Sequence, residues 1–241
     1  MQKKHLIIKS TTMKRIFFAI ASFLLSLASQ QLMAQAEYKL DFFDELTVTG
    51  NIEVKLVKGD EHKALIETYG IPEDEVNIYV KGQTLKLSLI NSIFYKNEKV
   101  RITVTYKELR SIRGNAGSEI EADHFIEGDY LEVRATSGAQ VMLHVKVNKL
   151  EGGATEGGIL QLRGEAVSQK AQANTGGRYL AMEMECKNTY ARAGTGGEVE
   201  VVANETLDAY ASLGGQIEYK GDPEQKGNRK FLGGEVRKVN F

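Results

Sequence analysis

The 241-residue chain carries 31 Lys and Arg against 32 Asp and Glu, 24 Gly, two Pro, one Cys and no Trp. Near-neutral charge leaves no electrostatic footprint for nucleic acid. A single cysteine, Cys186, excludes an intramolecular disulfide framework, a CxxC zinc site and a thioredoxin-type motif.

The N-terminal segment reads as a targeting sequence. Lys3, Lys4, Lys9, Lys14 and Arg15 come with no acid, and an apolar run follows from Ile16 to Ala28. A basic head, a short apolar stretch and small residues after it form a secretory signal, expected over 1–36. Cleavage is expected after Ala34 or Ala36, with Met1 or Met13 as the start. The run is shorter than the ~20 residues of a membrane span, which disfavours an uncleaved anchor. No cysteine stands near the cleavage point to carry a lipid. Removing 1–36 leaves 26 basic and 32 acidic side chains, a net charge of −6. The mature chain is expected to be exported to the periplasm, the outer-membrane surface or the medium, without a transmembrane segment.

An N-terminal β-region is expected over 37–112, where residues 40–112 alternate with period two. Ile52, Val54 and Leu56 share one face, as do Val76, Ile78 and Val80. The same holds for Leu85, Leu87 and Leu89, and for Val100, Ile102, Val104 and Tyr106. That is half-buried strand patterning. Gly82-Gln83 reads as a hairpin turn and Gly70 to Glu75 as a polar break, giving about six strands and no sustained helical period.

Over 113–241 the pattern becomes a repeat. Turns recur at Gly117-Ser118, Gly138-Ala139, Gly157-Gly158, Gly176-Gly177, Gly196-Gly197, Gly214-Gly215 and Gly233-Gly234, with first glycines 21, 19, 19, 20, 18 and 19 residues apart. A period near 20 is that of a solenoid whose unit is one rung. Three residues before the first glycine stand Ala135, Ala154, Ala173, Ala193 and Ala211, expected to face inward with the residues two and four positions before each. After the turn, Val141/Leu143/Val145, Leu160/Leu162, Val199/Val201 and Ile217/Tyr219 are expected inside. In the unit after Gly176, Tyr179/Ala181 and Leu180/Met182/Met184 compete for the interior. The corner glycines fit either a positive φ or crowding that a Cβ would obstruct. An antiparallel sandwich explains the alternation but not the fixed period. The expected fold is all-β, a parallel β-helix continuous with its N-terminal β-region.

These residues also carry a resemblance. The opening Phe43 to Val54, the (S/T)-G-(A/G) turns and the late Tyr219-Lys220-Gly221-Asp222-Pro223 resemble the putative auto-transporter adhesin head GIN domain family of secreted proteins in Bacteroidetes-type bacteria. The resemblance covers about 41–241. It implies a right-handed parallel β-helix and an adhesive role, with no catalytic residues to carry over. The long C-terminal membrane barrel of a self-exporting protein is absent from the sequence.

Chemistry finds little footing. His62, His124 and His144 lie far apart with no HExxH pairing, and there is no G-x-S-x-G elbow. Gly194-Thr195-Gly196-Gly197 leads into a strand, which is the wrong context for a phosphate loop. Some parallel β-helices cleave polysaccharides, so the pairs Glu183/Glu185 and Glu198/Glu200 and the run Glu119/Glu121/Asp123 are the candidates for acid–base work. They do not recur at one rung position, as expected of a solvated face. No catalytic, cofactor or metal residue is therefore expected. Tyr190, Arg192 and Tyr210 are the surface-binding candidates, for a glycan or a surface protein. Cys186 reads as a small buried hydrophobe.

Overall fold

The computed structural model describes residues 35–90 and 99–240. The targeting segment, through Ala34, lies outside the described residues. Among the described residues there are seventeen strands, one 3-10 turn (Glu73–Glu75) and no α-helix. No helix among them is long and apolar enough to cross a membrane.

The N-terminal strands are β1 (Gln35–Lys39), β2 (Glu45–Thr49), β3 (Ile52–Lys58), β4 (Lys63–Tyr69), β5 (Val76–Lys81), β6 (Thr84–Leu89) and β7 (Lys99–Tyr106). Their alternating aliphatics are buried, as period two requires, except that Ile78 and Val80 on the edge strand β5 are only half-buried. Gly82, at φ +67°, turns β5 into the antiparallel partner β6.

The period-two region is itself coiled. β2 and β3 pair in parallel with β6 and β7 on one side. On the other side they pair in parallel with β8 (Ser111–Asn115) and β9 (Glu119–Thr136). The β2–β3 rung thus lies between two rungs that follow it in sequence. Beyond β6 and β7 the stack is closed by antiparallel returns: β5 on β6, β4 on β7 and β1 on β4. Such returns pair the backbone groups that a parallel edge leaves open.

The repeats continue as β10 (Gln140–Thr155), β11 (Ile159–Asn174), β12 (Arg178–Gly194), β13 (Glu198–Val202), β14 (Thr206–Ser212), β15 (Gln216–Lys220), β16 (Gln225–Phe231) and β17 (Glu235–Lys238). All pair in parallel with their equivalents one rung away, so the chain is a β-solenoid of about seven turns rather than an antiparallel sandwich. Ala135, Ala154, Ala173, Ala193 and Ala211 stack in register and are all buried. One sheet is formed by the strand segments before each corner turn, the other by the segments after it.

Both readings of the corner glycines hold, at different glycines. At Gly176 the φ is +69° and nothing lies within 4 Å of a Cβ, so the requirement is conformational. At Gly177 a Cβ would stand 2.3 Å from the carbonyl oxygen of Ala154 in the preceding rung, so the requirement is space. The residue before each first glycine is also left-handed, Thr175 at φ +51° for example, and Gly177 N–H donates to the Asn174 carbonyl at 2.9 Å. That is the geometry of a type I′ turn.

The competition after Gly176 has a physical resolution. β12 slips by one residue against β11 between Gln161 and Arg163. Tyr179 and Ala181 face inward before the bulge, and Met184 and Cys186 after it. A bulge reverses which parity faces the core, so each competing set supplies part of the interior.

In the last rung the β16 segment ends the core with polar groups, while Val236 of β17 still packs on it. Lys226, Asn228 and Lys230 occupy the positions that Leu207, Ala209 and Ala211 hold one rung earlier. The Lys226 ammonium donates to the Tyr219 hydroxyl at 3.1 Å and so covers the end of the apolar column.

Candidate functional site

Strand β12 aims alternate side chains outward, and parallel register brings those of neighbouring rungs side by side. Tyr190 and Arg192 leave the same face, next to Asp208 and Tyr210 of β14 and then Gly227 and Arg229 of β16. The three residues singled out in the sequence therefore meet. The Arg192 guanidinium carbon sits 3.9 Å from the Tyr190 ring centroid and 5.2 Å from that of Tyr210. A cation held over aromatic faces is favoured by the ring quadrupole, more so as it is desolvated. Only 21% of the Arg192 side chain is exposed.

Asp208 fixes this arrangement. Its carboxylate accepts from Arg229 at 2.9 and 3.1 Å and lies 3.7 Å from Arg192. The charge-assisted hydrogen bonds orient the Arg229 guanidinium, while Arg192 feels Asp208 as a charge beyond hydrogen-bond reach. Asp208 and Arg229 were not singled out in the sequence, although both sit in the columns that Tyr190 and Arg192 define. Farther along the same face, Gly153 leaves room for Arg134, whose Nη1 would be 2.2 Å from a Cβ there. Arg134 can then lie across that rung and donate to the Gln172 side-chain oxygen, 3.4 Å away.

Beside Tyr190 and Asp208 runs a groove of about 580 Å³. One side chain from each of four successive rungs lines it: Ser168, Asn188, Thr206 and Gln225. The Thr206 hydroxyl donates to the Asn188 side-chain oxygen at 2.9 Å, and the Asn188 amide to the Val167 carbonyl at 3.4 Å. This ladder presents neutral donors and acceptors of fixed orientation.

Charge is sorted between the two sheets. On the sheet carrying Tyr190, from β8 to β16, the outward columns through Tyr130, Ser111 and Arg113 hold six cations (Arg113, Arg134, Lys149, Lys170, Arg192, Arg229) and three carboxylates (Glu132, Glu151, Asp208). That is a net of three positive charges. On the other sheet, from β9 to β17, the columns through Glu119 and Glu121 hold six carboxylates (Glu119, Glu121, Glu198, Glu200, Glu218, Glu235) and two cations (Arg178, Arg237), a net of four negative charges, while Arg163 and Glu183 in the neighbouring column cancel.

The remaining candidates for chemistry stand apart. Glu198 and Glu200 share a face, and burial together with the nearby Glu198 and Glu218 carboxylates pushes the Glu200 carboxyl up. Arg178 holds Glu198 at 2.8 Å, leaving it an ion-pair partner. His124 accepts from, or donates to, the Tyr106 hydroxyl at 2.8 Å, where burial pushes that phenol up to about 12. Burial also holds the His124 imidazole below its ordinary value, and its tautomer decides which of the two groups donates. His62 lies 4.7 Å from the Phe43 ring, far along the chain near the antiparallel returns. Cys186 is buried and its thiol is pushed up by burial, so it is a poor nucleophile. Among the described residues no group of three or more His, Cys, Asp and Glu is placed to hold a metal ion.

The model of one family, described as putative auto-transporter adhesin, head GIN domain, matches residues 42–223. Solved structures share the fold. A putative adhesin from Bacteroides fragilis NCTC 9343 superposes with a TM-score of 0.75 at 22% identity, over 87% of this chain and 98% of that one. A putative adhesin from Parabacteroides merdae ATCC 43184 gives 0.65 at 16% identity, over 86% and 96%. A putative lipid binding protein from Parabacteroides distasonis ATCC 8503 gives 0.60 at 20% identity, over 86% and 96%. No curated protein matches the chain.

Proposed function

Since this chain belongs to the putative auto-transporter adhesin, head GIN domain family, we propose that it is an exported, non-catalytic module that binds a cell-surface glycan or protein on the outer face of its solenoid. The observation that carries the reading is the Tyr190–Arg192–Tyr210 stack, held by Asp208 on rigid paired strands. Side chains already fixed in place lose little freedom on binding, so many weak contacts along a stiff face can add up. Repeated display of such modules would raise avidity further.

Export rests on the basic-then-apolar head of residues 1–36. The boundaries proposed are a signal over 1–36, an N-terminal β-region over 37–112 and the repeats over 113–241, the last two forming one continuous unit.

The test is a binding panel of polysaccharides and extracted surface proteins, with release of reducing or unsaturated ends followed in parallel. Retention that falls on Tyr190→Ala or Tyr210→Ala, without chain cleavage, is the expected result. Cleavage that disappears on changing Glu198 and Glu200 would make the protein a polysaccharide-degrading enzyme instead.

A further inference from the structure

We infer that the sheet carrying Tyr190 takes a linear anionic polysaccharide, bearing carboxylates or sulfates and laid across the rungs beside Asp208. This deepens the surface-binding reading and rests on it.

Charge sorting is the first support. The chain as a whole is nearly balanced, with 31 basic and 32 acidic side chains. Its repeats nevertheless put a net of three positive charges in the outward columns around Tyr190 and a net of four negative charges in the columns through Glu119 and Glu121. A face of one sign gathers ligands of the other and repels its own. An anionic polymer would therefore approach the sheet that holds the groove.

The groove supplies the second. Ser168, Asn188, Thr206 and Gln225 offer hydroxyl and amide groups one per rung, at intervals of ~4.8 Å. That step is close to the length of one sugar ring along a chain, and sugar hydroxyls need just such neutral donors and acceptors. Tyr190 lines the same groove.

The spacing of charge is the third. Lys226 lines the groove, and Lys170, Arg192 and Arg229 stand in the two outward columns beside it, with Asp208 between the two arginines. A guanidinium has five N–H donors, so Arg229 keeps donors beyond those it gives Asp208. Cations interrupted by a carboxylate fit a polymer with a charge on each sugar or on alternate sugars. They fit less well the denser phosphates of a nucleic acid duplex.

The experiment measures retention of the purified protein on immobilised heparin, polygalacturonate, dextran and duplex DNA over a salt gradient. Retention on heparin or polygalacturonate, none on dextran, and elution by salt are expected. Arg229→Gln and Lys170→Gln should each weaken that retention about three- to fivefold. Asn188→Ala should weaken it also, while Arg163→Gln on the opposite sheet should leave it unchanged. Circular dichroism and urea midpoints confirm that each variant is folded. Stronger retention on DNA than on both anionic polysaccharides would overturn the inference, as would Arg229→Gln and Lys170→Gln variants that bind like the parent protein. Retention on dextran but not on heparin or polygalacturonate would remove the anionic class and leave the surface-binding reading standing. Retention on nothing in this set or in the wider glycan and protein panel would remove both.

Discussion

Tyr179 fills the space that Gly152 leaves: a Cβ on Gly152 would lie 2.3 Å from Tyr179 Cε2. The ring is fully buried, and its hydroxyl donates to the Gln169 side-chain oxygen at 3.0 Å. Gln169 in turn donates to the Thr189 hydroxyl and the Val202 carbonyl, both at 3.1 Å. One glycine thus admits an aromatic ring whose polar end satisfies a buried amide. Gly152→Ala should destabilise by about 1–3 kcal/mol through overpacking. Tyr179→Phe should cost about 1–3 kcal/mol by leaving the Gln169 oxygen without its donor. In a Tyr179→Leu background Gly152→Ala should cost much less, because the ring it strikes is gone. Urea midpoints of the four proteins in that cycle would show this coupling, and strictly additive losses would refute it.

The stacked alanines leave little room beside them. Ala173→Leu or Ala193→Leu should cost about 1–3 kcal/mol. Gln172→Ala, one residue away on the outer face, should cost under ~0.5 kcal/mol. Equal midpoint shifts at the two kinds of position would contradict the assigned strand face.

Acid should weaken the fold through its histidines. Burial holds both His62 and His124 below their ordinary value, with Lys107 adding to the effect at His62 and Lys58 at His124. The unfolded chain therefore binds more protons than the folded one as pH falls below about 6.5, where free histidine titrates. Stability contributed by the neutral rings is present above that pH and is lost as pH falls toward the lowered folded values. Urea midpoints at pH 7.5 and pH 5 should differ less in His62→Leu than in the parent protein. An unchanged pH dependence would remove His62 as a contributor.

The polar last rung should keep solenoid ends apart. Lys226→Leu with Lys230→Ala restores the apolar pattern of Leu207 and Ala211 on an exposed edge strand. Such an edge is a template for pairing with another chain. Sedimentation should show more self-association in this variant than in the parent, and identical behaviour would argue against a protective role for the lysines.

Processing can be checked against the first strand. Gln35 and Ala36 pair with Glu67 and Ile66 across β1 and β4. Cleavage after Ala34 would keep β1 whole, whereas cleavage after Ala36 would shorten it. N-terminal sequencing of protein from the cell envelope should begin at Gln35 or Glu37, and an intact Met1 or Met13 would dispose of the signal assignment.

The repeat was legible because each rung writes the same residues at the same interval, as the buried column from Ala135 to Ala211 bears out. The place of the β2–β3 rung was not. Gly50-Asn51 stands far upstream of the first recurrent turn, and its neighbours on both sides come later in the chain. Periodicity reports the face of a strand, not the order in which strands stack. The bulge in β12 escaped for a related reason, since one inserted residue makes both parities look half correct. At the candidate site, Tyr190, Arg192 and Tyr210 were readable as outward residues. Asp208 and Arg229 matter through contacts between rungs, and only the register supplies those.

The left-handed residues of the corner turns have one more consequence. Ala116, Ser137, Glu156, Thr175, Thr195, Leu213 and Leu232 are all exposed at a ridge whose shape is set by backbone and glycine. Side chains there point away from the packed interior, one per rung. The ridge is a built-in graduated scale. Spin labels on cysteines placed at Ser137 and Thr175, or at Ser137 and Thr195, should differ in separation by one step of ~4.8 Å. The buried Cys186 would stay unlabelled while the native protein is read out in this way.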